Sequence, residues 1–192
     1  MSYSHQWERE WWGGCFNTLG EEMKQLTYAK KMGFQFFHDG KSPYNIDMEG
    51  KSVLDIGGGP VSLLLKCVNV RGTVIDPCEY PDWVMRRYEA AGIRYITARG
   101  EDVEFSHLFD CALIYNTLQH TDDPELIIRN AKKSAQVIRI FEWIDIPPCA
   151  GHPHMLTEEK LNEWLGGDGK VEWIDENTAT GKCYYGVFRG AV

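Results

Sequence analysis

"VLDIGGGP", residues Val53–Pro60, is the run that most strongly indicates the fold of this chain. Its first residues are apolar and suit a buried parallel strand, and the three glycines let the backbone turn sharply and approach a ligand closely. A second apolar run, "GTVIDP" (Gly72–Pro77), ends in Asp76, 19 residues after Gly57. A carboxylate at the end of the next strand can accept hydrogen bonds from ribose hydroxyl groups. Together the two runs predict a nucleoside-binding crevice.

The acid within the first run indicates which nucleoside this crevice binds. A dinucleotide site places a pyrophosphate against a helix N-terminus and usually has a third glycine where this chain has Ser62. The carboxylate of Asp55 would repel a pyrophosphate but attract the ammonium and sulfonium groups of S-adenosylmethionine (SAM). The electrostatics therefore favour SAM. An alternative is that Asp55 only orders the glycine loop through backbone N–H groups.

Length and composition are those of one globular domain. The chain has 192 residues, of which 43% are hydrophobic and 25% charged. It shows no signal-peptide pattern and no apolar run of the roughly 20 residues that cross a bilayer, so we expect a cytoplasmic protein without a membrane partner. Six cysteines scattered singly predict reduced packing residues. A net charge of −8 argues against long nucleic acid as a partner and favours a small-molecule or protein substrate; the oligomeric state is left open.

Strand-like and helix-like segments alternate after the first run, which is typical of a parallel sheet covered on both faces. We predict strands over Ser52–Ile56, Thr73–Asp76, Arg94–Thr97, Phe109–Tyr115, Gln136–Glu142, Gly169–Asp175 and Lys182–Arg189. We predict helices over Val61–Cys67, Pro81–Ala91, Pro124–Lys133 and Thr157–Leu165. Only "ENTATG" (176–181) joins the last two strands, so we expect them to form an antiparallel pair at one edge.

Residues 1–50 are predicted to form a helical cap on a core of residues 51–192, within one compact domain. The pattern predicts an amphipathic helix over Glu21–Phe37 and a shorter, tryptophan-rich helix over Tyr3–Trp12. The tryptophans either pack the cap against the sheet, as large aromatic residues usually do, or form an aromatic lid over a substrate pocket.

Four segments follow one another in a characteristic order: "VLDIGGG", "VIDP", "ARGEDVEF" (Ala98–Phe105) and "FDCALIYNTLQHTDDP" (Phe109–Pro124). In this order they resemble the motifs of the class I (Rossmann-like) SAM-dependent methyltransferases, and the resemblance covers about Lys51–Arg189. The terminal strand pair is similar to the end of that family's sheet. The resemblance implies an α/β fold, namely a three-layer αβα Rossmann-like, seven-stranded, mostly parallel sheet with one antiparallel strand. Val61 departs from the glycine that the family often has at this point of the loop.

The resemblance also implies a cofactor site, with SAM as cofactor and S-adenosylhomocysteine (SAH) as product. The glycine loop would pass close to the amino-acid end of SAM, Asp55 would bind its ammonium group directly or through water, and Asp76 would hold the ribose. Pro77 and Cys78 would flank the adenine, and Asn116 would lie near the methyl group. Either two acids of "ARGEDVEF" or a backbone N–H group would contact the adenine. The implied cofactor-binding residues are Asp55, Gly57, Gly58, Gly59, Asp76, Pro77, Cys78, Glu101, Asp102 and Asn116.

The implied reaction is methyl transfer to a small-molecule acceptor by in-line displacement, for which the protein must position the reactants. A base is needed only when the acceptor is a hydroxyl group or a protonated amine. The candidate catalytic bases are His120, His152 and His154, with a packing role for His120 as an equal alternative. The histidines of the loop Pro147–Met155 slightly favour an oxygen acceptor. Cys149 and these histidines resemble a metal site weakly, because zinc usually has four ligands, so we predict none.

Aromatic residues at the predicted ligand-binding edge suggest an apolar or ring-bearing acceptor. The candidate substrate contacts are Trp11, Trp12 and Tyr115. A competing function is a SAM- or SAH-binding regulatory protein without transferase activity, since no base is unambiguous. A nicotinamide-dependent oxidoreductase is a third possibility, and Asp55 and Ser62 argue against it.

Overall fold

The computed structural model describes residues 3–105, 108–176 and 179–191. These residues form strands β1 (Ile46–Asp47), β2 (Ser52–Ile56), β3 (Cys67–Val68), β4 (Arg71–Asp76), β5 (Arg94–Thr97), β6 (Phe109–Tyr115), β7 (Ala135–Trp143), β8 (Lys170–Glu176) and β9 (Ala179–Arg189). The helices are α1 (Tyr3–Trp12), α2 (Leu19–Lys31), α3 (Asp82–Ala90), α4 (Pro124–Ser134) and α5 (Glu158–Leu165). None of these described helices has both the length and the apolar character needed to cross a bilayer.

Seven of the strands form one sheet in the order β5-β4-β2-β6-β7-β9-β8. All neighbours in this sheet are parallel except those of β9, which runs antiparallel to β7 and to β8. The predicted seven-stranded, mostly parallel sheet with one reversed strand is therefore confirmed. β1 and β3 form a separate parallel pair. The predicted turn between the last two strands includes residues 177 and 178, which lie outside the described residues.

Three of the seven predicted strands have the bounds that the sequence predicts, and the other four are shifted or extended by one to three residues. The strands predicted over Ser52–Ile56, Arg94–Thr97 and Phe109–Tyr115 are observed with the same ends. All residues of β2 after Ser52 are buried. Helices cover both faces of this part of the sheet, which explains the near-continuous apolar character of its strands.

The helix predicted over Val61–Cys67 is wrong. The chain instead forms two short 3-10 turns, Gly59–Val61 and Leu63–Lys66, before β3 begins. Ser62 between them is extended, with φ −45° and ψ 144°. Its backbone N–H donates to the Tyr88 hydroxyl group and its own hydroxyl group donates to Asp55. These tertiary hydrogen bonds override the local helical pattern.

The second helix of the predicted cap is shorter than the sequence pattern indicates. The prediction was Glu21–Phe37, whereas α2 ends at Lys31. Gly33 ends the helical conformation because its φ is +83°, in the left-handed region that glycine adopts readily. Its N–H donates to the carbonyl group of Lys30, and the next N–H donates to that of Ala29.

The sheet has a hydrophobic core on each face. Val53 and Leu54, consecutive residues of β2, belong to different cores because neighbouring side chains of a strand point to opposite faces. On the first face lie α2, α3 and the 3-10 turns, and on the second lie α4 and α5. Large members of the first core are Tyr28, Met32, Leu63, Leu64, Tyr88 and Phe141, and those of the second include Phe109, Ile127, Ile128, Leu161 and Tyr184.

Tyr28 fixes α2 to the sheet, so the predicted cap shares its core with the sheet. The side chain is 1% exposed, and its ring stacks on Phe141 of β7 with the ring centroids 4.2 Å apart. Its hydroxyl oxygen accepts a hydrogen bond from Trp143 Nε1. In the same helix, the side-chain amide of Gln25 donates to the carbonyl group of Val61 at 2.7 Å. A domain boundary at residue 50 stays a prediction.

Removing the Tyr28 ring should destabilise the protein strongly. We expect Tyr28→Ala to lower the free energy of unfolding by about 3–5 kcal/mol, because it empties a packed site between α2 and β7. Tyr28→Phe keeps the ring and loses one hydrogen bond, which should cost about 1 kcal/mol. Urea denaturation measures both values. A Tyr28→Ala protein within about 1 kcal/mol of wild type would show that α2 is not anchored here.

Candidate active site

The glycine loop after β2 packs directly against the segment that follows β6. Gly57 has φ +74°, and its N–H donates to the carbonyl group of Ile75 in β4. A Cβ atom at this position would lie 2.3 Å from Cγ2 of Thr117. Only glycine fits here, because the position requires both a left-handed backbone and the absence of a side chain. The carboxyl ends of β2, β4 and β6 therefore meet around this loop.

Asp55 lies beneath the loop and is completely buried. Its Oδ2 atom accepts hydrogen bonds from the hydroxyl groups of Ser62 at 2.5 Å and Tyr115 at 2.6 Å. The Tyr115 oxygen also accepts a hydrogen bond from the backbone N–H of Leu63. Above the carboxyl group, a Cβ atom at Gly58 would lie 2.8 Å from Oδ2. Direct contact between Asp55 and a ligand's ammonium group does not fit this placement, and the loop is held through side chains rather than backbone N–H groups.

Asp76 at the end of β4 is held by donors on both oxygens. Oδ2 accepts the N–H of Gly59 at 3.0 Å, and Oδ1 accepts the N–H of Cys78 at 2.9 Å and the Tyr80 hydroxyl group at 3.2 Å. Burial raises the pKa of Asp76 to about 6, although the Cys78 hydrogen bond lowers it, and nearby Glu8 raises it further. The donors orient the carboxylate towards a small cavity.

This small cavity has a volume of about 60 Å³ and lies between the carboxyl ends of β2, β4 and β6. Five of the predicted cofactor residues line it, together with four others. The lining residues are Glu8, Gly57, Asp76, Pro77, Cys78, Asn116, Thr117, His120 and Thr121. The structure thus brings together the residues predicted for the ribose, the adenine flank and the methyl end.

Asn116 is the first residue after β6 and has φ +51°, an uncommon value for a residue with a side chain. Its N–H donates to the carbonyl group of Phe141, and its Oδ1 accepts a hydrogen bond from Gln119. Glu142, fully buried in β7, accepts the backbone N–H groups of Thr117 and the residue after it. These contacts fix the turn that carries Asn116 into the cavity.

Burial raises the pKa of Glu142 to about 8, although its two backbone hydrogen bonds lower it. The sequence analysis did not assign Glu142 a role. The available sequence signal was this acid within the apolar run Ile140–Ile144 at the end of β7.

Helix α1 supplies a second group that the sequence analysis missed. Glu8 lines the small cavity, and its Oε1 accepts a hydrogen bond from Trp12 Nε1 at 2.8 Å. Its Oε2 lies 3.5 Å from Nδ1 of His120. Burial raises the pKa of Glu8 to about 7, against the effect of the Trp12 hydrogen bond, and the nearby Glu21 also raises it. The only sequence signal was the four-residue spacing of Glu8 and Trp12, which places both on one helix face.

A larger cavity of about 460 Å³ adjoins the small one and shares Glu8, Asn116 and His120 with it. Its walls come from α1, α2, the ends of β6 and β7, and the loop after β7. The lining residues are Trp7, Glu8, Trp11, Trp12, Glu21, Lys24, Tyr28, Asn116, Gln119, His120, Trp143, Ile146, His152, Ala179 and Thr180.

Two of the three predicted substrate contacts lie at the larger cavity. Trp11 and Trp12 line it, whereas Tyr115 is buried in the core with its hydroxyl group on Asp55. A substrate contact by Tyr115 does not fit this position. Trp143, the last residue of β7, packs against the first core and also lines this cavity.

The three candidate histidines are placed differently. Nδ1 of His120 lies 2.7 Å from the carbonyl oxygen of Gly151, which can only accept, so Nδ1 carries a proton. Its Nε2 lies 3.4 Å from the side-chain nitrogen of Gln119. The ring of His152 packs against His120 with centroids 4.6 Å apart, and burial lowers the pKa of His152 to about 4, with a smaller contribution from His120. His154 is partly buried, lies 3.1 Å from the carbonyl oxygen of Asp122, and lines neither cavity.

Within residues 3–105, 108–176 and 179–191, no three acidic, histidine or cysteine side chains are grouped as a metal site. Cys149 and His152 are joined through their backbones, each N–H donating to the other's carbonyl group.

The two acids predicted at the adenine stabilise a neighbouring loop. Glu101 Oε1 accepts the backbone N–H of Asp122 and lies 3.4 Å from the guanidinium group of Arg99. Asp102 is largely exposed, with Oδ2 3.7 Å from Nε of the same arginine. Neither acid lines either cavity. Direct contact of their carboxylates with an adenine therefore does not fit this arrangement, in contrast to Pro77 and Cys78.

Comparison with known proteins agrees with this geometry. Residues 54–136 match a family model described as a methyltransferase domain. The matched segment runs from β2 into β7 and so contains the glycine loop, Asp76 and Asn116. A comparison of the sequence with curated proteins finds no significant match.

Several solved structures share the fold. The Burkholderia thailandensis 1,6-didemethyltoxoflavin-N1-methyltransferase, solved with 1,6-didemethyltoxoflavin and SAH, has a TM-score of 0.64 and 17% identity, covering 97% of this chain and 84% of that one. The N-methyltransferase NodS from Bradyrhizobium japonicum WM9 has a TM-score of 0.60 and 16% identity, over 91% and 98% of the two chains. The mitomycin 7-O-methyltransferase MmcR has a TM-score of 0.58 and 16% identity, over 98% and 61%. At these identities the similarity establishes the fold.

The strand order and the reversed β9 are those of the class I SAM-dependent methyltransferase fold, which these solved structures share and which the sequence resemblance implied. Within this fold, the matched segment is that of a methyltransferase domain. Its methyltransferase domain extends at least over the matched residues 54–136.

Asp55 should make stability fall with rising pH. Burial raises the pKa of this carboxyl group to about 7, although the hydrogen bonds from Ser62 and Tyr115 lower it. An unfolded aspartate has a pKa near ~3.9, so between about pH 4 and 7 the folded protein holds a proton that the unfolded chain has lost. The free energy of unfolding therefore falls through this range. Asp55→Asn should reduce the slope by up to about 1.4 kcal/mol per pH unit, measured by urea denaturation.

Asp110→Asn is the matched control. Hydrogen bonds from Ser52 lower the pKa of Asp110, so its stabilising effect is complete above the unfolded pKa and is lost only as the pH falls towards the folded pKa. This variant should keep the wild-type slope above about pH 5. Equal slopes in wild type and Asp55→Asn would contradict the prediction.

Proposed function

We propose that the protein transfers a methyl group from SAM to a small-molecule acceptor. The observation that carries this proposal is the pair of adjoining cavities at the carboxyl edge of the sheet. Asp76 and Asn116 line the smaller one, and Asn116 also lines the larger, aromatic one. Open α/β sheets bind ligands at this edge. The arrangement supports a cofactor and an acceptor that meet beside Asn116.

The chemistry of the small cavity fits SAM. The Asp76 carboxylate accepts the ribose hydroxyl groups, Pro77 and Cys78 contact the adenine, and the backbone at Gly57 allows close approach of the methionine portion. When bound, SAM supplies an electrophilic methyl group whose leaving group is a neutral thioether. The protein's contribution is to align the acceptor atom with that methyl group and to exclude water.

The acceptor in this proposal is a small molecule methylated on oxygen, with His120 as the base. A cavity of about 460 Å³ has the size of an ordinary small-molecule site. The similar structures named above include enzymes that methylate nitrogen and one that methylates oxygen. His120 supports the choice of oxygen, because its ring lines both cavities and, with Nδ1 directed at Gly151, a neutral ring would accept a hydroxyl proton at Nε2, which now lies 3.4 Å from the side-chain nitrogen of Gln119.

Calorimetric titration with SAH tests the cofactor assignment. We expect the wild type to bind SAH and Asp76→Asn to bind it about 10- to 100-fold more weakly, because a charged acceptor for the ribose is lost. Asp110→Asn, which removes an aspartate at the opposite end of the sheet, should bind like wild type. Wild type that fails to bind SAH would refute the proposal.

Turnover distinguishes a transferase from a binding protein. Incubation of SAM with a metabolite extract should yield SAH only when the protein is present. Binding of SAH without any turnover would favour the regulatory alternative.

Loss of the His120 base should lower kcat rather than cofactor affinity. With an acceptor found by turnover, we expect His120→Asn to reduce kcat by about 100- to 10,000-fold, since the hydroxyl proton has no acceptor. The SAH dissociation constant should stay within about threefold of wild type. His154→Asn is the control, because His154 lies outside both cavities, and it should retain wild-type kcat. A His120→Asn enzyme with wild-type kcat would exclude His120 as the base.

A further inference from the structure

The walls of the larger cavity are unusually aromatic. Five aromatic side chains line it: Trp7, Trp11, Trp12, Tyr28 and Trp143. Trp143 meets Tyr28 edge to face with centroids 6.1 Å apart, and its indole N–H donates to the tyrosine hydroxyl group. Trp11 and Trp12 are also perpendicular to each other. Aromatic faces attract cations through the ring quadrupole, and such surroundings are typical of sites that bind organic ammonium groups.

A carboxylate lies among these rings at the junction with the cofactor cavity. The side chain of Glu8 is 23% exposed, and Oε1 accepts the indole N–H of Trp12. Oε2 is 3.5 Å from Nδ1 of His120, but that N–H has a shorter contact to the carbonyl oxygen of Gly151. Among the described residues, no lysine or arginine lies within 4 Å of Glu8. The half-buried acid therefore has no strong cationic partner from the described part of the chain.

The basic residues of the cavity do not neutralise this acid. Nζ of Lys24 is paired with Oε1 of Glu21 at 2.5 Å, three residues away on α2. Burial lowers the pKa of His152 to about 4, so its ring is neutral near pH 7. The cavity thus combines aromatic walls with a carboxyl group that has no lysine or arginine partner among the described residues. Its pKa of about 7 leaves this group partly ionised near neutral pH, and a bound cation would favour its ionised form.

We propose that the methyl acceptor carries a positively charged amine, and that Glu8 with the surrounding aromatic rings recognises this group. The inference deepens the proposed function and rests on it. In this proposal the protein binds the acceptor through its amine, and the methyl group is transferred to a hydroxyl group of the same molecule. Glu8 is then a specificity residue supplied by the N-terminal helix.

The test compares two probes of nearly equal shape that differ in charge, 2-phenylethylamine and 2-phenylethanol. Both are titrated into protein saturated with SAH, which lacks the sulfonium charge of SAM, and binding is followed by tryptophan fluorescence and calorimetry. We expect the amine to bind about tenfold more tightly than the alcohol. In Glu8→Gln this preference should fall below about threefold, measured again at saturating SAH.

Glu10→Gln is the matched control, because it removes one negative charge from the exposed side of the same helix. It should keep the preference for the amine. Equal binding of the two probes to wild type, or an undiminished preference in Glu8→Gln, would overturn the inference. Weaker SAH binding in Glu8→Gln with the amine preference intact would assign Glu8 to the cofactor and also overturn it. Failure of wild type to bind SAH would instead refute the proposed function.

Discussion

The buried carboxyl group of Asp55 joins three parts of the chain on which the site depends. Ser62 and Tyr115 both donate hydrogen bonds to it, and the Tyr115 hydroxyl group accepts one from Leu63. The network ties the end of β2 to the turns after the glycine loop and to the end of β6. A carboxyl group buried without such donors would cost several kcal/mol, on the order of the whole stability of a domain. With them, the loop is supported from below while its other side stays open to a ligand.

The two cavities adjoin each other and share three lining side chains. Glu8 comes from α1, Asn116 from the turn after β6 and His120 from the 3-10 turn that follows. Glu142 in β7 holds the backbone between Asn116 and His120 through two hydrogen bonds to N–H groups. Glu142, which lines neither cavity, therefore holds Asn116 and His120 in position between the two cavities. Helix α1 completes the site from outside the sheet.

Sequence reasoning recovered the features that depend on local pattern. Continuous apolar runs gave the central strands, and position at a strand end gave Asp76 and Asn116. It failed where distant residues decide, since hydrogen bonds with Asp55 and Tyr88 hold Ser62 extended and leave no periodic signal. The burial of Tyr115 was missed, although its spacing from Cys111 and Leu113 places it on the same face of β6 as these core residues. Glu8 was missed because its position over the sheet edge is set by the packing of α1. A charged residue that reaches the site from outside the motifs, as Glu8 does, cannot be identified from the motifs alone.

The two 3-10 turns that replace a helix after the glycine loop have a consequence for selectivity. An α-helix over residues 59–66 would place the positive end of its helix dipole at the glycine loop. Residues 59–66, all of them described, form only short turns around the extended Ser62, so no such helix dipole develops. In other proteins, the positive end of such a helix dipole binds the phosphate groups of nucleoside triphosphates and dinucleotides. The turns after the glycine loop therefore offer no helix-dipole attraction to the phosphate groups of such ligands.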